Sequence, residues 1–334
     1  MLQGLAIRKR RFGFVQTMIA LIVFALVLAG CGKQATGEQN AAEGTAPAPA
    51  PNQEVRKVKH AMGEAEIKGT PKKVVVLTNE GTEALLALGV KPVGAVKSFL
   101  GNPWYDHIKA EMQGVTELGL ESQPNMELIA GLQPDLIIAN KLRHEKIYDQ
   151  LKAIAPTVVS ETLRGEWKEN FALYAEALNK KAEGQKVIGD FDNRVADLRA
   201  KAGDKLKKTV SVVRFMAGKT RIYYTDTFSG VIFKQIGIAR PETKSKETFA
   251  DEITKERLPE VEADTLFYFT YETGDNKASA TETEWTNDPL WKNLNVVKSG
   301  NAHRVSDAIW NTAGGVKAAN LMLDDLYKFY GVQK

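Results

Sequence analysis

Read for chemistry, the chain carries cations and rings that recur at the ends of apolar, β-type runs. Lys97 follows Val93–Val96, Lys141 and Arg143 follow Leu136–Asn140, and Arg164 lies just past Thr157–Val159. In the second half Arg214 and Phe215 end VSVVRF, Tyr224 closes RIYYT, Tyr271 follows TLFYFT, and Trp310 comes after Val305-Ser306. Ligands of open α/β sheets bind beyond the carboxyl ends of the strands. Arg and Lys beside aromatic rings at such ends would complement an anionic, oxygen-rich molecule and cover its apolar parts. Each position also has a plainer reading: a solvated surface charge for the cations, core packing for the rings. Arg214 differs, because a charge interrupting an apolar strand end must be paired or face a cleft. Arg221 begins its strand and falls at the wrong end.

Other chemistries find little support. The four histidines, His60, His107, His144 and His303, are scattered, whereas a bare zinc or manganese ion needs several converging ligands. A single ligand such as His144 stays open, as does an axial His or Met for haem. Cys31 is the one cysteine of the chain, so an intrachain disulfide, a dithiol redox pair and a cysteine metal cluster are excluded. No Gly-x-Ser-x-Gly elbow or His-Glu-x-x-His motif is present, so a hydrolase would lack its nucleophile–base pair and the chain reads as a non-enzyme with no cofactor. Gly314-Gly315-Val316 begins a helix without a phosphate-loop pattern.

The elements that must position these residues follow from composition and periodicity. The 334 residues are 43% hydrophobic and 26% charged, an ordinary globular mixture. Arg8, Lys9, Arg10 and Arg11 are the basic residues of the first 30; removing four from 45 Lys and Arg leaves 41, equal to the 41 Asp and Glu. A balanced body gives no footing to nucleic acid. Those four charges followed by the uncharged run Met18–Ala29 read as a signal peptide over 1–30. The sequence Leu28-Ala29-Gly30-Cys31 resembles the bacterial lipobox, which implies lipidation of Cys31 and anchoring at the outer face of the cell membrane. Residues 31–53, with the repeat Ala46-Pro47-Ala48-Pro49-Ala50-Pro51, read as a disordered tether.

From residue 54 a strand–helix grammar sets in. KVVVLT (Lys73–Thr78), a helix over Glu80–Gly89 and Val93–Val96 form one unit; a helix from Asn125 and Leu136–Ala139 form the next; Tyr148–Ile154 and Thr157–Val159 repeat it. Residues 181–202 carry the longest helical pattern, with Val187, Ile188, Phe191, Val195, Leu198 and Ala202 on one stripe. Strand–helix alternation then resumes to a last helix over Gly315–Tyr330, with Glu272–Glu284 as an exposed polar loop. The expected domains are an α/β lobe over 54–180, a connecting helix over 181–202 and a second α/β lobe over 203–334, each lobe with a parallel sheet.

The stretch Pro71–Leu77, then Glu83–Gly94 (EALLALGVKPVG), and Pro124–Ile138 (PNMELIAGLQPDLII) resemble the N-terminal lobe of iron-siderophore and vitamin B12 binding proteins of ABC importers. The resemblance runs from about residue 55 to the end. It implies the class III periplasmic-binding-protein architecture, two α/β lobes joined by one rigid helix that permits little closure, with the ligand between them. Through Trp285–Leu294 and Asp307–Asn311 the second half is similar to Gram-positive lipoproteins for ferric citrate-based siderophores of the schizokinen and staphyloferrin A kind. The implied ligand is a ferric siderophore whose iron is already coordinated, and the implied partners are a membrane permease and, through it, an ATPase, with the receptor a monomer. In such proteins one glutamate on each lobe docks into the permease; Glu127 and Glu256 occupy the matching places. Haem or a corrinoid is the alternative ligand within the same fold, and a surface-anchored hydrolase the alternative of another class.

Overall fold

Residues 54–163 and 165–334 are described by the structure, a computed structural model. The expectations for the signal segment, Cys31, the tether and Arg164 lie outside the described residues.

The described chain opens with a hairpin, β1 (Val55–His60) and β2 (Gly63–Lys68). The first sheet follows from β3 (Val74–Val76), β4 (Gly94–Ala95), β5 (Thr116–Glu117), β8 (Leu136–Asn140) and β9 (Thr157–Ser160), in the order β5-β4-β3-β8-β9 and parallel throughout. A small ladder, β6 (Gly119–Leu120) with β7 (Gln123–Pro124), stands beside it. Helices α1 (Asn79–Ala87), α2 (Met126–Leu132), α3 (Lys141–His144), α4 (Tyr148–Ile154) and α5 (Trp167–Ala177) alternate with these strands. Strands β3, β8 and β9 are buried along their whole length, which is why their sequences are largely apolar runs rather than alternating ones. Thr78 caps α1 by accepting the Gly81 N–H at 3.0 Å.

Helix α6 (Lys181–Ala202) then crosses to the second lobe, about 33 Å at the usual rise per residue. The second sheet is built from β10 (Val210–Met216), β11 (Lys219–Tyr223), β12 (Ala250–Ile253), β13 (Thr265–Thr270) and β14 (Ala302–Arg304), in the order β12-β11-β10-β13-β14. This sheet is mixed. β10 pairs in parallel with β13, and β13 with β14, but β11 returns antiparallel to β10 and β12 antiparallel to β11. The cause is the link between VSVVRFM and KTRIY, only Ala217-Gly218, which suits a hairpin and is far too short for a crossover; Gly218 takes φ +67° there.

Helix α7 (Phe228–Ile236) covers this sheet, and Lys255–Val261 forms a 3-10 segment with Pro259 inside it. The expected polar loop over Glu272–Glu284 is largely helix α8 (Lys277–Thr286). Its start is organised by Glu272, whose carboxyl accepts from the N–H groups of Gly274 (2.8 Å), Asn276 (2.9 Å) and Ser279 (3.0 Å). Short helices α9 (Pro289–Asn293) and α10 (Asn295–Lys298) lead to β14, and α11 (Val316–Tyr330) ends the fold.

The two lobes share a core. One apolar cluster runs from Val74, Leu85 and Ile138 of the first lobe through Phe191, Val195 and Leu198 of α6 to Val212, Phe267 and Met322 of the second. Helix α11 closes it by packing on both α1 and α6. At that contact Glu83 of α1, fully buried, accepts the Ala318 N–H at 2.8 Å and meets the His107 ring. No helix among the described residues is long and apolar enough to cross a membrane.

The Glu272 cap carries a pH signature. Those hydrogen bonds, the Ser279 N–H foremost, hold its pKa down to about 2. A carboxyl with a depressed folded pKa contributes stability that is present above its unfolded value, about 4.3, and is lost as the pH falls toward 2. We therefore expect Glu272→Gln to lower the urea midpoint at neutral pH and to converge on the wild type as the pH is lowered through that window. A constant difference between the two proteins across the window would refute the assignment.

Candidate ligand-binding cleft

Strand ends of both sheets converge on three adjoining cavities between the lobes. The innermost, 290 Å³, is bordered by Asn79, Glu80, Phe99, Glu121, Arg143 and Leu163 from the first lobe. Arg214, Met216, Phe228, Phe249, Tyr271 and the turn Asn311–Gly314 close it from the second lobe. It shares Phe99, Glu121 and Tyr271 with a cavity of 580 Å³ that also holds Lys97, and shares Arg143 with one of 600 Å³ that also holds Lys141. The two larger cavities each fall within the general size range of small-molecule sites, about 300–1,000 Å³.

Arg214 anchors the second-lobe wall. The residue is only 8% exposed, and one terminal nitrogen donates to both oxygens of Asp307, at 2.8 and 2.9 Å. The other donates to the Tyr223 hydroxyl at 3.0 Å, and the guanidinium lies over the Tyr271 ring at 4.6 Å. Burial works against the charge, but Asp307 and Tyr223 outweigh it, so the Arg214 pKa lies above the ordinary arginine value. The result is a fixed cation with its fork pre-oriented and a ring stacked beside it.

Cations of the first lobe are also paired. Arg143 Nε donates to Glu121 at 3.2 Å, and Lys141 Nζ to Glu161 at 2.7 Å. Lys97 has no carboxyl partner among the described residues. Glu121 is itself 3% exposed and accepts from the Asn79 backbone N–H (3.1 Å) and side-chain amide (2.9 Å). His144 holds the same turn: its Nε2–H donates to the Glu121 carbonyl at 2.8 Å, while Nδ1 accepts the Asn140 N–H at 3.1 Å. Burial lowers its pKa, which keeps the ring neutral, and with both nitrogens engaged it is a positioning residue rather than a free ligand. Among the described residues no three His, Cys, Asp or Glu side chains gather as a metal site.

The structure thus brings Lys97, Lys141, Arg143, Arg214 and Tyr271 to one cleft, and it removes three aromatics from it. Phe215 is fully buried against Trp285, Trp291 and Tyr268. Tyr224 lies in the same cluster, its hydroxyl donating to Asp251 at 2.7 Å. Successive residues of a strand face opposite ways, so Arg214 and Tyr223 on one face place Phe215 and Tyr224 on the other. Trp310 is fully buried on Phe233 and Phe267, with its indole N–H on Asp325 at 2.8 Å; it borders a further 960 Å³ cavity, which meets the 580 Å³ one at Leu100 and Glu272. These three are core residues, the plainer of the two readings.

Glu127 is exposed in the first turn of α2, capped by Asn125, and Glu256 is exposed in the first turn of the 3-10 segment. Gly315 starts α11 where the lobes meet: a Cβ there would lie 2.6 Å from that of Glu83.

Sequence reasoning missed the acids and amides of the cleft. Asn79 and Glu80 lie just past β3, where the strand-end rule points, but they are neither cations nor rings. Phe99, Phe228 and Phe249 carry no sequence signal that separates them from core aromatics.

Two α/β lobes bridged by a single helix, with a cleft at the strand ends, define the class III periplasmic-binding-protein fold. The family model described as periplasmic binding protein matches residues 74–305, and the chain belongs to that family of substrate-binding proteins. It is 52% identical to the probable siderophore-binding lipoprotein YfiY of Bacillus subtilis, over 95% of this chain and 98% of that one. It is 29% identical to the Fe(3+)-citrate-binding protein YfmC of the same organism, over 94% and 96%. Among solved structures, Staphylococcus aureus SirA complexed with staphyloferrin B superposes with a TM-score of 0.76 at 37% identity, over 83% of this chain and 99% of SirA.

The Arg214–Asp307 pair yields a prediction. Deleting one member of a buried pair leaves the other uncompensated and costs about 3–5 kcal/mol. Asp307→Ala should lose that much in urea unfolding, and the double variant Arg214→Met/Asp307→Leu should recover most of it. A loss below about 1 kcal/mol for the single variant would show that solvent reaches Arg214.

Proposed function

We propose that this protein is the extracytoplasmic, lipid-anchored receptor of an ABC importer for iron. In this reading it captures a ferric siderophore, of citrate-hydroxamate or hydroxycarboxylate type, between its lobes and delivers it to the membrane permease. Family membership and the relatives named for siderophore and ferric citrate binding support the class of ligand. The sequence Leu28-Ala29-Gly30-Cys31 supports the anchor.

The observation that carries the reading is Arg214: a buried, fixed guanidinium stacked on Tyr271 at the wall of a cleft that also holds Arg143 and Phe99. A pre-wrapped ferric complex presents anionic oxygens and apolar arms, and needs no metal ligand from the protein. Bidentate cations and rings meet both demands. The protein acts by binding and hand-over rather than by turnover.

Titration of intrinsic tryptophan fluorescence with ferric citrate and with ferric citrate-hydroxamate, trihydroxamate and catecholate siderophores tests this directly. Saturable quenching at micromolar concentration is expected from at least one, weakened about tenfold or more in Arg143→Ala, a loss of roughly 1.4 kcal/mol. Quenching by haem or cobalamin alone would overturn the ligand assignment.

The exposed Glu127 and Glu256, one on each lobe, are the acids we assign to permease docking, where charge steers and registers a partner more than it adds affinity. The double variant Glu127→Ala/Glu256→Ala should bind ligand normally in solution yet fail to support cellular uptake. Weakened binding by the purified variant would instead place these acids in the cleft.

A further inference from the structure

The cavity wall opposite Arg214 holds a group that an anion-binding cleft would be expected to exclude. Glu80, in the first turn of α1, is 6% exposed and borders the innermost cavity. Its Oε1 is buried and without a hydrogen-bond partner among the described residues. Buried polar atoms are almost always satisfied, so this oxygen calls for a partner that the protein does not supply.

The groups facing Glu80 show which partner fits. Glu83 lies on its own helix, Glu121 on the turn after β6, and Glu166 just before α5, so three other carboxyls surround it. From α5 come the Asn170 amide, which donates to the Thr162 carbonyl at 2.7 Å, and the Tyr174 hydroxyl. Among the described residues the cations that line the cavity are engaged elsewhere, Arg143 with Glu121 and Arg214 with Asp307. Burial pushes the Glu80 pKa well above the ordinary carboxyl value; Asn170 opposes the rise, and Glu121, Glu83 and Glu166 add to it. A charged Glu80 would be a desolvated anion among carboxyls, with no paired cation among the described residues.

We propose that Glu80 serves the ligand site as a neutral carboxylic acid, donating its O–H to an anionic oxygen of the bound ferric chelate, and that capture is thereby tied to a proton held on the protein. This rests on the ferric-siderophore reading and adds a specificity residue to it. A ligand presenting a carboxylate or hydroxamate oxygen toward α1 accepts the bond, whereas one presenting an N–H or O–H donor there leaves the acid proton unpaired and is selected against. The same bond makes the protonated protein the tighter binder. Affinity is then level below the Glu80 pKa and falls as the pH rises through it, by at most about tenfold per pH unit.

The test compares wild type, Glu80→Gln and Glu80→Ala, each checked for folding by circular dichroism, in titrations with ferric staphyloferrin B and ferric citrate from about pH 5 to pH 9. Comparing variants at each pH cancels the titration of the ligand itself. Glu80→Gln keeps a donor but cannot ionise, so its profile should be flatter than that of the wild type and should cross to tighter binding at the alkaline end. Glu80→Ala should bind about tenfold or more weakly at the acidic end. In the free wild-type protein, the infrared C=O band of a neutral carboxylic acid should persist at neutral pH and vanish in Glu80→Gln. Superimposable pH profiles for wild type and Glu80→Gln, or no such band in the wild type, would overturn the assignment of Glu80 alone. A wild type that binds neither these probes nor any siderophore of the panel would overturn the functional reading, and the role of Glu80 with it.

Discussion

Everything about the cleft depends on the lobes being held at a fixed spacing, and the contact that most directly does this is Glu83 with the start of α11. Its carboxyl is buried in α1 of the first lobe, yet it accepts the Ala318 N–H of the C-terminal helix and meets His107 from the loop between β4 and β5. The first N–H groups of a helix have no intrahelical acceptor, so a carboxyl there satisfies a donor and complements the helix dipole together. Gly315 makes the approach possible, because any side chain would collide with Glu83. Around this contact runs a single apolar core spanning both lobes and α6. Opening the lobes as rigid bodies would expose that core, so the cleft walls are set by folding.

Within this frame the cations of the cleft differ in what they can offer. Arg214 is desolvated and held by Asp307, Tyr223 and Tyr271, so its orientation is settled before ligand arrives and little side-chain entropy remains to be lost. Arg143 is of another kind: its side chain is 39% exposed, and its single bond to Glu121 is of the partly solvated sort that contributes modestly. Exchange of that bond for a ligand oxygen is cheap in free energy, and it would leave Glu121 held by Asn79. One fixed and one exchangeable guanidinium on facing walls give a site both geometric selectivity and a means of adjusting to its ligand.

Much of this was legible in the sequence, and the limits are physical. Unbroken β-branched runs marked the buried strands, and the stripe through Phe191, Val195 and Leu198 marked α6, because two-sided burial and one-sided burial leave different periodicities. The strand-end rule located five of the cleft residues. It failed at Phe215 and Tyr224 because it ignored strand parity, which already separates them from Arg214 and Tyr223. It failed at Trp310 because an indole with a hydrogen-bond partner fits a core as well as a cleft. Helix α8 was hidden for a different reason: its residues are polar, and its start is set by Glu272 reaching across seven residues to the Ser279 N–H, a tertiary cap that outweighs weak local propensity.

The charge pattern ties these strands of argument together. A cleft built for anions need not display free cations, because a free buried cation is unstable in the unliganded protein, where no anion is present to offset its desolvation. Pairing Arg214 with Asp307 removes that penalty while keeping the donors in place, and the more exposed Arg143 in turn gives the buried Glu121 a cation. Acids in the cleft are therefore part of how it holds its cations. Glu80 stands apart from the others, since it pairs with no cation among the described residues, and burial raises its pKa well above the ordinary carboxyl value, which favours the protonated form. Read together, the walls present fixed positive donors from the second lobe and a neutral O–H donor from the first, an arrangement that favours a ligand with oxygen acceptors on both sides.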